Sequence, residues 1–446
     1  MNKNLNLIPN LIIKYISNVI RFGIRISRMS IGVIAVFMLL VSCSSGSNKK
    51  ILKDSIYIYE IQNNIYSQLS NKVYALDKNQ ANYNNMIGNI ELDSLKVRNT
   101  IKIKSRKDNM LNSNILIDSG FIYLLDSNNI LYKKSITNPK ESFALSLHNS
   151  DSSFSTLSKK ISLNNGKIIA SIGNNTIYQI DIESFTLSWS KDISNIVRAS
   201  NIIDNNNAYA STIDNVIYAL DQNNGKIKWK RELDSKQTSI YGSGYLSDYE
   251  NNIIFTSSLG ETVSLNKNNG EILWSDKINL TSIHNSEYDM FDSEFKPIIE
   301  GNRYYSWTYS GSIISYNIAS GVRKWTLDVR PITNLWLFGD IIYTVGADNN
   351  IIAIDKNDGK IIWYKPLDKI TKIDSEDYNE QNISTIFVTN NKLAILSKSG
   401  QILLLDPMQG DYLSKKRFGK NVISLPYNYK NNLYFQDQNG NIKIYH

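Results

Sequence analysis

From about residue 100 onward, apolar and polar residues alternate in runs of five or six, punctuated by Asn, Asp and Gly. Period-two stretches of this kind predict short β-strands joined by tight turns. One phrase recurs. Its clearest copy runs Ile217-Tyr-Ala-Leu-Asp221, then Gly225 and Trp229, and a near-duplicate runs Ile351-Ile-Ala-Ile-Asp355, then Gly359 and Trp363. Further copies are anchored on Asp181, Asn266, Asn317 and Asp406. Two reduced copies, Ile130–Ser135 and Ile442–His446, keep the strand alone. Phe185 stands where the second copy should have Gly, and Ser414 where the seventh should have Trp.

The anchors fall at 135, 181, 221, 266, 317, 355, 406 and 446, with spacings of 46, 40, 45, 51, 38, 51 and 40 residues. A period of roughly 40–50 residues built from short strands is the signature of propeller blades. Eight copies predict an all-β, eight-bladed β-propeller over residues 99–446. The Asp/Asn-x-x-x-Gly stretch reads as a hairpin whose Gly supplies positive φ. Trp, eight residues past the anchor, reads as a wedge between blades. The last copy ends the chain without a hairpin partner, and the lone alternating segment Thr100–Lys104 can supply one. Its pairing with residues 441–446 would close the ring and remove open edges. Segments such as Ile168–Ser171, Ala208–Ser211, Ile253–Ser257, Tyr304–Thr308, Ile341–Val345 and Leu393–Leu396 read as additional strands.

The N-terminal side has a different pattern. Ile31–Val41 is an apolar run of 11 residues preceded by Arg21, Arg25 and Arg28. It has the length of a signal-peptide core and is too short to span a bilayer as a helix. Leu40-Val41-Ser42-Cys43 resembles a bacterial lipobox, and Ser44-Ser45-Gly46-Ser47-Asn48 reads as a linker. Cys43 is then the lipidation site, residues 1–42 a signal peptide with a long n-region, and residues 43–98 a linker with an N-terminal extension. The diacylglycerol and palmitate chains on Cys43 would hold the protein firmly to a membrane.

Composition narrows the function classes. The formal charge is +8, but five of the 49 basic residues lie in residues 1–42, which hold no acid; the remaining 44 face 41 acidic residues. A nearly neutral folded part with mixed charges does not read as a nucleic-acid surface. Cys43 is the sole cysteine, so neither an internal disulfide nor a Cys-based metal site is available. His148, His284 and His446 lack metal-ligand spacing. Asp or Asn recurs at one place in six of the eight copies, which turn capping explains better than catalysis.

The Leu-Asp-x-x-x-Gly-x-x-x-Trp phrase resembles the repeat of PQQ-type propellers. One group in that family comprises quinoprotein dehydrogenases using PQQ and calcium; the other comprises non-enzymatic lipoproteins of the β-barrel assembly machinery in the bacterial outer membrane. The dehydrogenases have a vicinal Cys pair and a calcium cluster, which this sequence lacks. Lipobox, eight repeats and the closing strand resemble the second group. That resemblance implies no cofactor, a lipid anchor in the outer membrane facing the periplasm, and a role in folding and inserting outer membrane proteins. The implied partners are the POTRA domains of the central barrel subunit, BamA, and nascent outer membrane proteins. A quinoprotein dehydrogenase, or another membrane-anchored protein-binding propeller, is the alternative. The resemblance also implies contact residues in two neighbouring inter-blade connections. After the third repeat, Ile240 and Gly242 match the family pattern, with Tyr241 where Arg is expected and Thr238 replacing an apolar residue. After the fourth, Asp292 and Glu294 match an acidic pair shortly before Pro297.

Overall fold

The computed structural model describes Leu92 and residues 96–446, except 103–114, 139, 148–158, 198–200, 234–243, 258–260, 278–295, 309–310, 371–381, 419–426, 431, 438–440 and 446. All of these belong to one of the chain's two compact units, Val73–His446. The signal segment, Cys43 and most of the extension therefore lie outside the described residues.

The described strands form eight four-stranded antiparallel sheets, each built from consecutive strands except the last. Blade 1 holds β2 (Leu116–Asp118), β3 (Phe121–Leu125), β4 (Ile130–Ser135) and β5 (Ser142–Ser146). Blade 2 holds β6 (Lys160–Asn164), β7 (Lys167–Ser171), β8 (Thr176–Asp181) and β9 (Thr186–Asp192). Blade 3 holds β10 (Ile202–Ile203), β11 (Asn207–Ser211), β12 (Val216–Asp221) and β13 (Ile227–Glu232). Blade 4 holds β14 (Tyr245–Tyr249), β15 (Asn252–Thr256), β16 (Glu261–Asn266) and β17 (Ile272–Lys277). Blade 5 holds β18 (Ile298–Glu300), β19 (Arg303–Thr308), β20 (Ser312–Asn317) and β21 (Arg323–Leu327). Blade 6 holds β22 (Trp336–Phe338), β23 (Ile341–Val345), β24 (Asn350–Asp355) and β25 (Ile361–Pro366). Blade 7 holds β26 (Ile383–Thr389), β27 (Lys392–Ser397), β28 (Gln401–Leu405) and β29 (Tyr412–Arg417). Blade 8 joins β30 (Tyr427–Tyr429), β31 (Asn432–Gln436) and β32 (Ile442–Tyr445) to β1 (Val97–Ile101).

The recurring phrase is thus the outer hairpin of each blade, its third and fourth strands. The second strands, such as β7 and β23, are almost entirely buried because both faces meet neighbouring blades. Closure occurs as expected, but through Val97–Ile101, three residues before the segment read as the closing strand. Asn99 pairs with Ile444 and Ile101 with Ile442. Blade 1 also departs from expectation. Its sequence pattern predicts a single strand of the hairpin, yet β5 supplies the fourth strand, with Phe143 opposite Lys133. Leu92, within the predicted extension, is buried with Trp363, Phe387 and Tyr445.

One device joins blades 2 through 7. Trp189, Trp229, Trp274, Trp325 and Trp363 each lie against the hairpin Gly of the next blade: Gly225, Gly270, Gly321, Gly359 and Gly410. Each indole N–H donates to the carbonyl just past the next anchor, that of Gln222, Lys267, Ile318, Lys356 or Pro407, at 2.8–3.1 Å. The five Gly residues sit at φ between 68° and 75°. A Cβ at Gly270 would stand 2.6 Å from the Trp229 ring, so Gly is needed for space as well as for backbone angle.

Candidate functional site

Strand direction sorts the loops onto two faces of the ring. Because neighbouring strands are antiparallel, every Asp/Asn–Gly hairpin opens on one face, together with the turns between first and second strands. The links between blades, and the turns between second and third strands, open on the other. The links after blades 3 and 4, which carry the predicted contact residues, therefore both start and finish on this link face. Ile240, Tyr241, Asp292 and Glu294 themselves lie outside the described residues, as does Cys43.

What the structure does describe is how the roots of those two links are held. Leu233, where the first link departs, is buried, and its amide donates to the Asn215 carbonyl. Where that link returns, Gly244 passes so close to blade 4 that a Cβ would stand 2.3 Å from the Phe255 ring. Any side chain there would push the link's end away from its seat. Arg231 ties the outer strand of blade 3 to blade 4 by donating from Nε to the Gly270 carbonyl at 2.7 Å.

The second link begins at a charged clamp. Arg323 Nε donates to Asp276 Oδ2 at 2.6 Å, and its Nη2 donates to Asp276 Oδ1 at 2.9 Å and to the Lys277 carbonyl at 3.1 Å. The Tyr316 hydroxyl also donates to Asp276 Oδ2, at 2.8 Å. The paired fork geometry makes this a stronger bond than a single-contact ion pair. Burial, and then the hydrogen bond to Asp276, push the Tyr316 hydroxyl far above the ordinary tyrosine range, so it stays a donor. The Tyr316 ring stacks on Trp274, centroids 5.9 Å apart. The second link thus leaves from a residue, Lys277, whose carbonyl is fixed by the next blade. At its far end Pro297 is buried. Nothing in the sequence marks Arg323 and Asp276 as partners: they stand 47 residues apart, with neither at an anchor position.

The repeated acids are structural. Asp221 Oδ1 accepts from the Asn223 amide at 2.8 Å, and the Gly225 amide donates to the Asp221 carbonyl at 2.9 Å. The Asn223 bond holds the Asp221 carboxyl below its usual range. Asn266, Asp355 and Asp406 cap their hairpins in the same way. Two hairpin-face lysines then bridge blades. Lys267 pairs with Asp248 and Asp204, and Lys356 with Glu300 and Asp340. Among the described residues, no three His, Cys, Asp or Glu side chains come together as a group able to hold a metal ion.

A closed ring of eight sheets, joined by indole-on-glycine locks in a PQQ-type phrase, defines a protein-scale scaffold of the PQQ-repeat class. Residues 145–365 match the family described as outer membrane protein assembly factor BamB. The assembly factor BamB of Moranella endobia is 20% identical over 266 residues, 60% of this chain and 66% of that relative, just under two thirds of its length. BamB from Moraxella catarrhalis, known by its crystal structure, superposes with a TM-score of 0.63 at 14% identity, covering 79% of this chain and 99% of that one. Over the matched residues the chain is similar to the BamB-like PQQ-repeat family, and the likeness to the solved structure is one of fold. The quinohemoprotein alcohol dehydrogenase from Comamonas testosteroni superposes at a TM-score of 0.56 with 10% identity, covering 79% of this chain and 76% of that one. A likeness at that level is one of fold, and fold does not carry activity.

Proposed function

We propose that this chain is a non-enzymatic lipoprotein scaffold of the β-barrel assembly machinery, anchored through Cys43 in the outer membrane and facing the periplasm. In this reading it binds the POTRA domains of the barrel subunit, BamA, through the link face at blades 3 to 5, and so assists outer membrane protein folding and insertion. The observation that carries the reading is the anchoring of the two adjacent links: Gly244 seated on Phe255, and Lys277 held by Arg323. Fixed roots set where each link starts and ends, which removes part of the ordering cost of binding. The family match supports the choice of machinery.

Within this reading, Ile240 and Tyr241 form the apolar anchor, and Asp292 with Glu294 meets basic groups on the partner. An interface of this kind buries about 1,600 Å² in total and depends on a few residues. The test is co-purification of the barrel subunit from detergent-solubilised membranes. Ile240→Asp and Tyr241→Ala should reduce recovery more than Asp292→Ala, because anchors set complex lifetime while rim charges tune encounter. If both anchor variants fold and recover the barrel subunit at wild-type level, the link face at these blades is not the interface.

A further inference from the structure

We infer that the seam between blades 1 and 2 is a separable latch, which opens while blades 2 to 7 stay locked. The seam is built from the same positions as the indole locks but with different chemistry. Phe143 pairs with Lys133 across β4 and β5, as Trp229 pairs with Ala219 and Trp274 with Ser264 in their blades. Phe143 therefore occupies the tryptophan position. Phe185 occupies the glycine position and holds the glycine's left-handed backbone, φ 51°. A bulky residue rarely takes that angle, so its ring must be needed there. The two rings meet at 6.2 Å.

The missing indole N–H is also replaced. Lys133 Nζ donates to the Ile182 carbonyl at 2.6 Å, the carbonyl one residue past the Asp181 anchor. That is the position the indoles reach in the five other joints. The ammonium also lies 4.7 Å from the Phe121 centroid, 5.6 Å from Phe143 and 5.9 Å from Phe185, within cation–π range. A second lysine crosses the seam in the opposite direction on the link face. Lys159, just before β6, donates from Nζ to the Asp126 and Ser127 carbonyls and to Asn129 Oδ1 of blade 1.

These tethers differ from the locks in the property that matters for opening. The lock indoles are 3–9% exposed, whereas Phe143 is 46% exposed, so water already reaches the outer edge of this seam, while its inner part is a buried core that includes Leu125, Leu131, Ile168 and Ile180. A lysine ammonium released from a carbonyl is resolvated and regains side-chain freedom, while an indole drawn off its glycine exposes a large apolar ring. The blade 7–8 joint also lacks an indole, since Ser414 stands at the tryptophan position of blade 7, but a buried cluster of Phe418, Phe435 and Tyr445 fills it and keeps it shut. Blade 8 is itself made from both ends of the described ring.

Peptide-level hydrogen exchange on the full chain tests this. In the wild type, peptides from β3 and β4 should exchange at least ten-fold faster than those from β15, β16 and β23. Lys133→Met should accelerate β3, β4 and β8 a further several-fold and leave β15 to β24 unchanged. The triple change Lys133→Ala, Phe143→Trp, Phe185→Gly rebuilds the common lock and should slow blade 1 to the rate of blade 4. Equal protection of blades 1 and 4 in the wild type would overturn the inference. So would uniform acceleration of every blade by Lys133→Met, a measurement that does not depend on the triple variant folding.

Discussion

Gly270→Ala isolates what the lock requires. Two costs arise there. Alanine at φ 70° carries the left-handed penalty, roughly 1–2 kcal/mol. Its Cβ also falls 2.6 Å from the Trp229 ring, and neither the ring nor the backbone it rests on can move without disturbing the blade 3–4 joint. Forcing an extra methyl into a filled site costs about 1–3 kcal/mol. The sum is on the order of 2–5 kcal/mol. Gly120→Ala is the control, since Gly120 has φ 81° but a Cβ there meets nothing within 4 Å. It should lose the backbone term alone. Urea denaturation followed by circular dichroism gives both values, and the difference between them measures the indole contact. Adding Trp229→Phe to Gly270→Ala removes the larger ring, so the double variant should lose less than the sum of the singles. If Gly270→Ala costs no more than Gly120→Ala, or the double variant is strictly additive, the glycine is not there to seat the indole.

Deleting residues 442–446 should abolish soluble folded protein, because it removes the strand between β1 and β31 and the buried side chains of Ile442, Ile444 and Tyr445; an unchanged melting temperature would refute closure as the source of stability. Lys159 gives a pH signature. Burial lowers its pKa from 10.5 to about 8 in the folded protein, so between those values the unfolded chain holds a proton that the folded one has released. Stability from this group therefore rises with pH across that window, by roughly 2 kcal/mol between pH 7 and 9.5. Denaturation midpoints of wild type and Lys159→Met, compared at several pH values, should diverge in that direction, and parallel profiles would show that the amine is not titrating there.

Much of the ring was legible because the outer hairpin carries its information locally. Asp221, Gly225 and Trp229 each have a fixed task within nine residues, and each recurs. First strands such as β10 (Ile202–Ile203) and β18 (Ile298–Glu300) are short and half buried, so they show no period. The fourth strand of blade 1 escaped notice because Phe143 replaces Trp and no Gly precedes it; the signal was in Phe185, an aromatic at a glycine position one blade on. β1 began earlier than expected because Val97–Ile101 has no alternation, its register being broken between Val97 and Asn99. The Arg323–Asp276 clamp joins residues from different repeats, and single-chain patterning does not see across a joint. The contact residues themselves came from family resemblance alone, since loop chemistry has no period to read.

Every indole lock points the same way, from one blade to the glycine of the next. Joined head to tail by one contact repeated with a fixed sense, the blades behave like subunits of a heterologous polymer that meets its own end. Such a polymer has no preferred length of its own. Duplicating an interior blade would add one indole and one glycine and leave every local contact satisfied. What counts the blades is the closure. The β1–β32 pairing occurs once, and its two strands must meet across whatever gap the accumulated rotation leaves. In this chain, blade number is thus set by the closing pair, β1 with β32, and the interior repeats are free to drift as long as each keeps its ring and its glycine.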